Sequence, residues 1–125
     1  MYEITNINKK YITPMKPCPP ISPSRSRFTK RLRKWSDPRQ AQKMAVKYLG
    51  NKAHIFPSGN REKKYRICDV NTGNYVRFGQ MGYEDYTKHR NKTRRHNYLT
   101  RTAGIRGDWK RNPYSANNLS RNILW

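Results

Sequence analysis

Acidic residues are scarce in this chain: 7 Asp and Glu stand against 28 Lys and Arg in 125 residues, for a formal net charge of +21. The excess is even, because residues 1–60 carry 13 basic and 2 acidic groups and residues 61–125 carry 15 and 5. This excludes a neutral domain with a basic tail. A charge of this size gives information about an acidic partner and not about the fold. The candidate partners are nucleic acid and an acidic protein assembly. A membrane surface is less favoured, because the basic segments lack the apolar faces of interfacial helices.

Apolar residues are also few, at 34% of the chain, so we expect a compact core in only part of it. No apolar run approaches the ~18–20 residues that span a bilayer, and the first residues lack the basic start and apolar run of a signal peptide. We therefore expect no membrane span, and synthesis in the cytoplasm or nucleus. Aromatic residues, at 12%, argue against a disordered chain.

Cysteine is rare. Cys18 and Cys68 are the two in the chain, which is too few for a disulfide framework. One stands in a proline-rich stretch and the other in a predicted strand. We expect both to be free thiols, as suits a reducing compartment.

No constellation of catalytic residues or metal ligands is visible. The histidines and cysteines show none of the close ligand pairs of zinc sites, and neither glycine-rich phosphate-binding motif occurs. The only adjacent carboxylates are Glu84 and Asp85, and sequence neighbours do not face each other on a helix. Asp85 is better interpreted as a helix cap or as the partner of an arginine. We therefore predict that the protein is not an enzyme and has no catalytic residue, metal, cofactor or small-molecule substrate.

What the chain does have is a proline-rich basic segment followed by regular elements. Residues 13–27 contain five prolines and are predicted to be extended. They are either a flexible linker or an arm that becomes ordered on a partner, and the composition does not distinguish between the two. The remaining pattern predicts a helix over 38–49, a short strand over 53–56, a β-hairpin over 63–78 and helices over 91–102 and 116–124.

These elements predict an α+β fold: a small body of a β-hairpin and two to three helices, with an extended, Pro-rich basic N-terminal arm. We place the arm at residues 1–35 and the body at residues 36–125. The terminal segment Ile123-Leu124-Trp125 is expected to dock into the body or a neighbour, because an exposed apolar end promotes aggregation.

Basic residues are interleaved with aromatic ones, the pattern of surfaces that neutralise phosphates and stack on bases. The residues predicted to contact nucleic acid or an acidic partner are Arg25, Arg27, Lys30, Arg31, Arg33, Lys34, Lys88, Arg90, Lys92, Arg94, Arg95 and Arg101. The aromatic and apolar residues predicted to dock are Tyr83, Tyr86, Tyr98, Trp109, Leu124 and Trp125. No helix-turn-helix, zinc finger or RNA-recognition signature is present. Any binding to nucleic acid would therefore depend on contacts with the phosphate backbone of the nucleic acid.

The second half of the chain carries a longer string of distinctive residues. It comprises Phe78-Gly79, Tyr83-x-Asp85-Tyr86-Thr87-x-His89, Arg94-Arg95, Tyr98, Arg101, Trp109, Asn117-Asn118-Leu119-Ser120 and Leu124-Trp125. Over residues 63–125 this string resembles the short basic proteins of uncharacterised function encoded by nucleocytoplasmic large DNA viruses. The resemblance implies a viral protein carried in the particle and implies no activity or site residue.

Together these observations predict a non-enzymatic structural component of a large double-stranded DNA virus particle. The favoured function is a minor capsid protein that threads between capsomers and cements them, with the major capsid protein and other minor capsid proteins as partners and possible contact with viral DNA. The first alternative is a sequence-independent DNA-binding protein that condenses the genome in the virion core. The second is a ribosomal-type RNA-binding protein. The expected location is the virion, after synthesis in the host cytoplasm or nucleus.

Overall fold

A computed structural model describes residues 15–125; the first part of the predicted arm, residues 1–14, lies outside the described residues. Its strands are β1 (Ile55–Pro57), β2 (Lys63–Asp69) and β3 (Asn74–Gln80). Its helices are α1 (Lys30–Trp35), α2 (Pro38–Leu49), α3 (Tyr86–His89), α4 (Lys92–Ala103) and α5 (Ala116–Leu119), with short 3-10 turns at Pro23–Arg25 and Trp109–Arg111. The predicted α+β class is confirmed.

The three strands form one antiparallel sheet in the order β1-β2-β3. Tyr65 pairs with Phe78, and Ile67 pairs with both Val76 and Ile55. Because strand side chains alternate between two faces, these residues form an inner face in contact with the core. The residues between them on β2 lie on the outer face. The predicted hairpin is confirmed.

The core lies between the inner face of the sheet, α2 and the last residues of the chain. Its buried members are Leu32, Ala41, Ala45, Ile55, Tyr65, Ile67, Phe78, Tyr114, Leu119, Ile123 and Leu124. Asp37 caps α2 by accepting from the backbone N–H groups of Arg39 and Gln40, and Pro38 is the first helical residue, which favours a helix start. The predicted helix over 38–49 is confirmed at both ends.

The chain's last segment docks into the body. Helix α5 continues as a π-turn over Ser120–Leu124, so the predicted single helix over 116–124 changes type halfway. Leu124 packs directly on the backbone of Gly79, where an added Cβ would lie 2.8 Å from its Cδ1. The Trp125 ring stacks on Tyr98 of α4 with centroids 4.1 Å apart and planes 8° apart. This stack covers Tyr98, one of the few apolar side chains of α4.

The described part of the arm lies on the outer face of the sheet. The backbone N–H of Lys16 donates to the carbonyl of Val70 at 2.8 Å, and the Tyr75 hydroxyl donates to the carbonyl of Pro19 at 2.6 Å. Cys18 and Cys68 form a disulfide across this contact. The expectation of free thiols is therefore wrong: strand alternation brings Cys68 to the outer face beneath the arm, and 50 residues of sequence separation conceal the pairing.

Residues 30–35, predicted as part of the extended arm, instead form α1. Thr29 caps this helix by accepting from the backbone N–H of Leu32, and Leu32 is buried in the core. A cap residue followed by one apolar residue per turn is sufficient for a short helix that packs on a core. The extended stretch of the described arm is thus shorter than expected. Within residues 15–125, every helix is too short or too polar to cross a bilayer.

Candidate nucleic-acid interface

A groove of about 640 Å³ runs between the arm, α1, the loop that precedes β2 and the outer face of the hairpin. Half of the side chains along it are cationic: Arg25, Arg27, Arg31, Arg61, Lys63, Lys64, Arg66 and Arg77. No Asp, Glu, Phe, Tyr or Trp of the described residues lines it. We call this surface the cationic groove. Its lining offers charge and hydrogen-bond donors, and it offers no aromatic ring.

One wall of the cationic groove is a loop built around Ser58. Ser58 is 2% exposed, and its hydroxyl shares its one hydrogen between the backbone carbonyls of Asn60 and Lys63. The Asn60 side chain in turn accepts from the backbone N–H of Lys63 at 2.8 Å. Gly59 supplies the left-handed backbone, with φ of +77°, that closes the turn. These bonds fix the direction in which Arg61 and Lys63 leave the loop.

The opposite wall is formed by the arm and α1. Arg25 ends the 3-10 turn at Pro23–Arg25, and both Arg25 and Arg27 are exposed. Arg31 of α1 donates to the backbone carbonyl of Arg61 at 3.1 Å, which ties the two walls together. Phe28 then anchors the arm by an edge-to-face contact with Tyr65, with ring centroids 5.7 Å apart.

The floor is formed by Arg66 of β2 and Arg77 of β3, which lie directly opposite each other in the antiparallel register. The Arg77 Nε donates to the carbonyl of Ser58 at 2.6 Å. The Arg66 guanidinium lies 5.5 Å from the Tyr75 ring centroid, and an added Cβ on Gly59 would lie 3.6 Å from it. Its Nε is buried without a hydrogen-bond partner among the described residues.

Charge and burial both act on Arg66. Burial lowers the pKa of its guanidinium, the positive charges of Arg77 and Arg25 lower it further, and Tyr75 acts in the opposite direction. Desolvation and neighbouring like charges both disfavour a cation. The cations of the groove floor therefore repel one another, and this repulsion has an electrostatic cost.

Carboxylates do not relieve this cost. Three ion pairs join described residues, and they involve Lys64, Arg94 and Arg111. Only Lys64 belongs to the cationic groove, where it pairs with Asp85 at 3.0 Å. Among the described residues, the other seven cations of the groove have no carboxylate partner within ion-pair distance. Their charge remains available to an external anion.

The predicted basic residues divide into two groups in the structure. Arg25, Arg27 and Arg31 line the cationic groove, whereas Lys30, Arg33 and Lys34 are exposed on α1 outside it. Those from Lys88 to Arg101 lie on or beside α3 and α4. The other groove cations are outside the predicted set: Arg61, Lys63, Lys64, Arg66 and Arg77. Arg66 and Arg77 could have been identified from the sequence, because each alternates with core residues on one strand of the hairpin and both therefore lie on the same face of the sheet.

Two members of the α3–α4 group, Arg94 and Arg101, line a second, smaller pocket of about 450 Å³. Several side chains of the group already have intramolecular partners. Arg95 lies over the Tyr86 ring at 5.4 Å and Arg101 over the Tyr98 ring at 5.5 Å, while Arg94 pairs with Glu84 at 3.4 Å. This surface is cationic, but part of its charge is committed within the fold.

The predicted docking residues serve mainly the protein's own packing. Tyr98, Leu124 and Trp125 contact the body as described above. Trp109 lies apart from them and donates from its indole N–H to the carbonyl of Ile105 at 2.7 Å. Tyr83 differs from the rest, because it is 69% exposed at the edge of the smaller pocket.

Asp85, from the one adjacent carboxylate pair, has a structural position. It caps α3 by accepting from the backbone N–H of Thr87, as predicted, and its ionic partner is Lys64 rather than an arginine. Asp85 also forms a hydrogen bond with the Thr87 hydroxyl. The Thr87 hydroxyl in turn bonds Ser36, whose hydroxyl accepts from Tyr65 at 2.7 Å.

Among residues 15–125, no three His, Cys, Asp or Glu side chains come together as a metal site would require.

Comparison with known proteins gives one similarity. A family of unknown function (DUF5754) matches residues 53–102, a stretch that holds β1, the hairpin, α3 and most of α4. Five of the eight groove cations fall inside it, and the arm and α1 fall outside. No curated protein and no solved structure matches the chain. Because the function of that family is unknown, the similarity assigns no activity to this chain.

Proposed function

We propose that this protein binds nucleic acid without enzymatic activity and without sequence preference, through contacts between the cationic groove and backbone phosphates. The observation that carries the proposal is the composition of the groove: seven cations without a carboxylate partner among the described residues. Arginine predominates, and its planar fork matches the geometry of a phosphate.

The lining also favours backbone contacts over base contacts. Proteins that hold single strands stack bases on aromatic side chains, and no aromatic residue of the described chain lines the cationic groove. Base edges in the major groove are read by a protruding helix or two-stranded ribbon that enters it, and the cations here lie in a recess instead. Affinity should therefore depend on salt and vary little with sequence.

A binding assay with charge-matched variants tests this proposal. Arg25→Gln/Arg27→Gln removes two exposed groove cations, and Lys43→Gln/Lys47→Gln removes two exposed cations of α2 outside the groove. Duplexes of unrelated sequence are titrated at fixed salt by fluorescence anisotropy. We expect the groove variant to lose about tenfold in affinity for every duplex, and the control to lose much less, because direct phosphate contacts exceed long-range charge effects. Equal losses would contradict the groove as the binding surface.

The setting we propose is the particle of a large DNA virus, on the resemblance given by the sequence. Within that setting the cationic groove favours genome condensation over the cementing of capsomers. From Met15 onward the arm that was expected to thread between capsomers is held on its own body by the disulfide and by hydrogen bonds. A protein of the core should leave opened particles with the genome when they are treated with nuclease and salt.

A minor capsid protein remains the second candidate, because the exposed cations of α4 lie outside the groove and suit an acidic protein surface. Lys92, Arg94 and Arg95 are all exposed there. The same fractionation separates the two: a capsid component stays with emptied shells at a fixed ratio to the major capsid protein. A ribosomal-type protein would instead co-purify with ribosomes and be released by ribonuclease.

A further inference from the structure

We propose that Arg66 and Arg77, with Arg25 of the arm, form a discrete site for a single phosphate group at the floor of the cationic groove. The proposal rests on the proposed function in that the phosphate would belong to the bound backbone. The same chemistry would accept a free phosphate ion, and the experiment below separates the two sources.

The first observation is the register of the hairpin. Arg66 and Arg77 are directly opposite each other, and residues in that relation have Cβ atoms about 4.5–5.5 Å apart. Like charges in that position destabilise a sheet. A pair of cations at this position is therefore costly for folding, and an anion that binds between them removes the repulsion.

The second observation is the Nε of Arg66, which is buried without a partner among the described residues. A buried donor that makes no hydrogen bond costs about 1–3 kcal/mol, and more when it is charged. The Nε and a terminal nitrogen of arginine form the fork that binds two oxygens of one phosphate. Neighbouring atoms cover this Nε, so a phosphate oxygen reaches it only when the Arg66 guanidinium turns toward the groove, and that turn exchanges an unfilled hydrogen bond for one to the phosphate.

The third observation is that the Arg66 and Arg77 side chains have fixed neighbours before any ligand arrives, and that the segment carrying the exposed Arg25 is anchored at both ends. Arg77 is fixed by its bond to the Ser58 carbonyl, and Arg66 lies between Gly59 and the Tyr75 ring. Arg25 belongs to a segment anchored upstream by Cys18 and downstream by Phe28. Its charge acts on Arg66. Binding therefore orders few side chains, which lowers its entropic cost.

Thermal unfolding in inorganic phosphate tests the site. A ligand of the native state raises its stability with concentration, so phosphate should raise the Tm of the natural chain above its value in chloride of matched ionic strength. Phosphate also stabilises proteins in general by exclusion from their surface, and the variant Lys43→Gln, outside the groove, measures that general effect. We expect Arg66→Gln to show only the general effect, and to melt close to the natural chain when phosphate is absent.

Arg25→Gln is the second variant, because Arg25 is exposed and its loss leaves the core intact. It should reduce the phosphate-specific Tm shift in part. The same Tm shift in the natural chain, Arg66→Gln and Arg25→Gln would overturn the site and leave nucleic-acid binding by the wider groove in place.

A competition experiment identifies the source of the phosphate. If the site holds a backbone phosphate, inorganic phosphate should displace a bound duplex more effectively than chloride at equal ionic strength, and Arg66→Gln should abolish that difference. If the natural chain shows the specific Tm shift and binds no duplex, the site stands as one for free phosphate and the proposed function fails. The two failures are therefore distinguishable.

Discussion

Lys64 and Asp85 form an ion pair 3.0 Å long, with side chains only 3% and 1% exposed. Two residues further along the same strand, Arg66 has no carboxylate partner among the described residues. Burial lowers the pKa of Lys64, and the charge and hydrogen bond of Asp85 oppose that shift. The strand thus carries one cation that the fold neutralises and one that it leaves charged and unpaired, which separates a structural role from a binding role.

The contrast predicts that the two substitutions change stability by very different amounts. Lys64→Met removes the partner of a fully buried carboxylate and should cost about 3–5 kcal/mol of the free energy of unfolding. Arg66→Gln removes a repulsive charge and an unpaired donor, and should cost less than about 0.5 kcal/mol. Urea unfolding at neutral pH measures both. Similar large losses for the two variants would show that Arg66 is a structural residue.

The disulfide predicts that the arm contributes to stability. Cys18→Ser/Cys68→Ser opens a cross-link that spans 50 residues, and loops of that size contribute about 2–4 kcal/mol through the entropy of the unfolded chain. Unfolding of the variant, and of the natural chain with a thiol reductant, should show the same loss. A variant as stable as the oxidised natural chain would contradict a cross-link that acts on folding.

Gly79 and Gly82 provide a matched pair. Both have left-handed backbone, with φ of +83° and +93°, so alanine is strained at either position. An added Cβ on Gly79 would also lie 2.8 Å from Leu124, whereas nothing lies within 4 Å at Gly82. Gly79→Ala should therefore lose about 1–3 kcal/mol more stability than Gly82→Ala. Equal losses would mean that Leu124 moves aside without cost.

Tyr65 predicts a loss of stability in alkali. Burial raises the pKa of its hydroxyl well above the ordinary value. A group whose pKa is raised by folding contributes stability below its unfolded pKa, here about 10, and that stability is lost as the pH rises further. Tyr65→Phe should cost about 1 kcal/mol at pH ~7 by losing the bond to Ser36.

The difference between the natural chain and Tyr65→Phe isolates this residue. Burial lowers the pKa of Lys64, so that residue changes stability with pH in the opposite direction, but it is common to both proteins. The stability advantage of the natural chain should therefore shrink above pH ~10 and then reverse. Unfolding measured from pH ~7 to ~11 checks this, and a constant advantage over that range would refute the role assigned to Tyr65.

Local signals in the sequence were sufficient to predict most of the helices and strands. Asp37 and Pro38 specify the start of α2, and the alternation across residues 63–78 specifies the hairpin, both through residues that are close in the sequence. The docking of Trp125 was expected from the cost of an exposed apolar end, and its stack on Tyr98 agrees.

Long-range relationships were not accessible in the same way. The disulfide depends on the path of the arm across the outer face of the sheet, which no local pattern describes. The burial of Leu32 depends on a core assembled from distant segments. The cationic groove joins side chains from the arm, a loop and two strands, whereas clustering in the sequence drew attention to α4, where charge is dense along the chain but partly committed within the fold.

The most direct test of the central claim is the salt dependence of duplex binding. The logarithm of the binding constant falls with the logarithm of salt by about 0.9 for each phosphate neutralised. Arg25→Gln/Arg66→Gln/Arg77→Gln removes three groove cations, and Arg39→Gln/Lys43→Gln/Lys47→Gln removes the same charge from the exposed face of α2. We predict a salt slope shallower by about one or more for the groove variant and unchanged for the α2 variant. Equal slopes for all three proteins, or a flat response of the natural chain, would contradict binding through this groove.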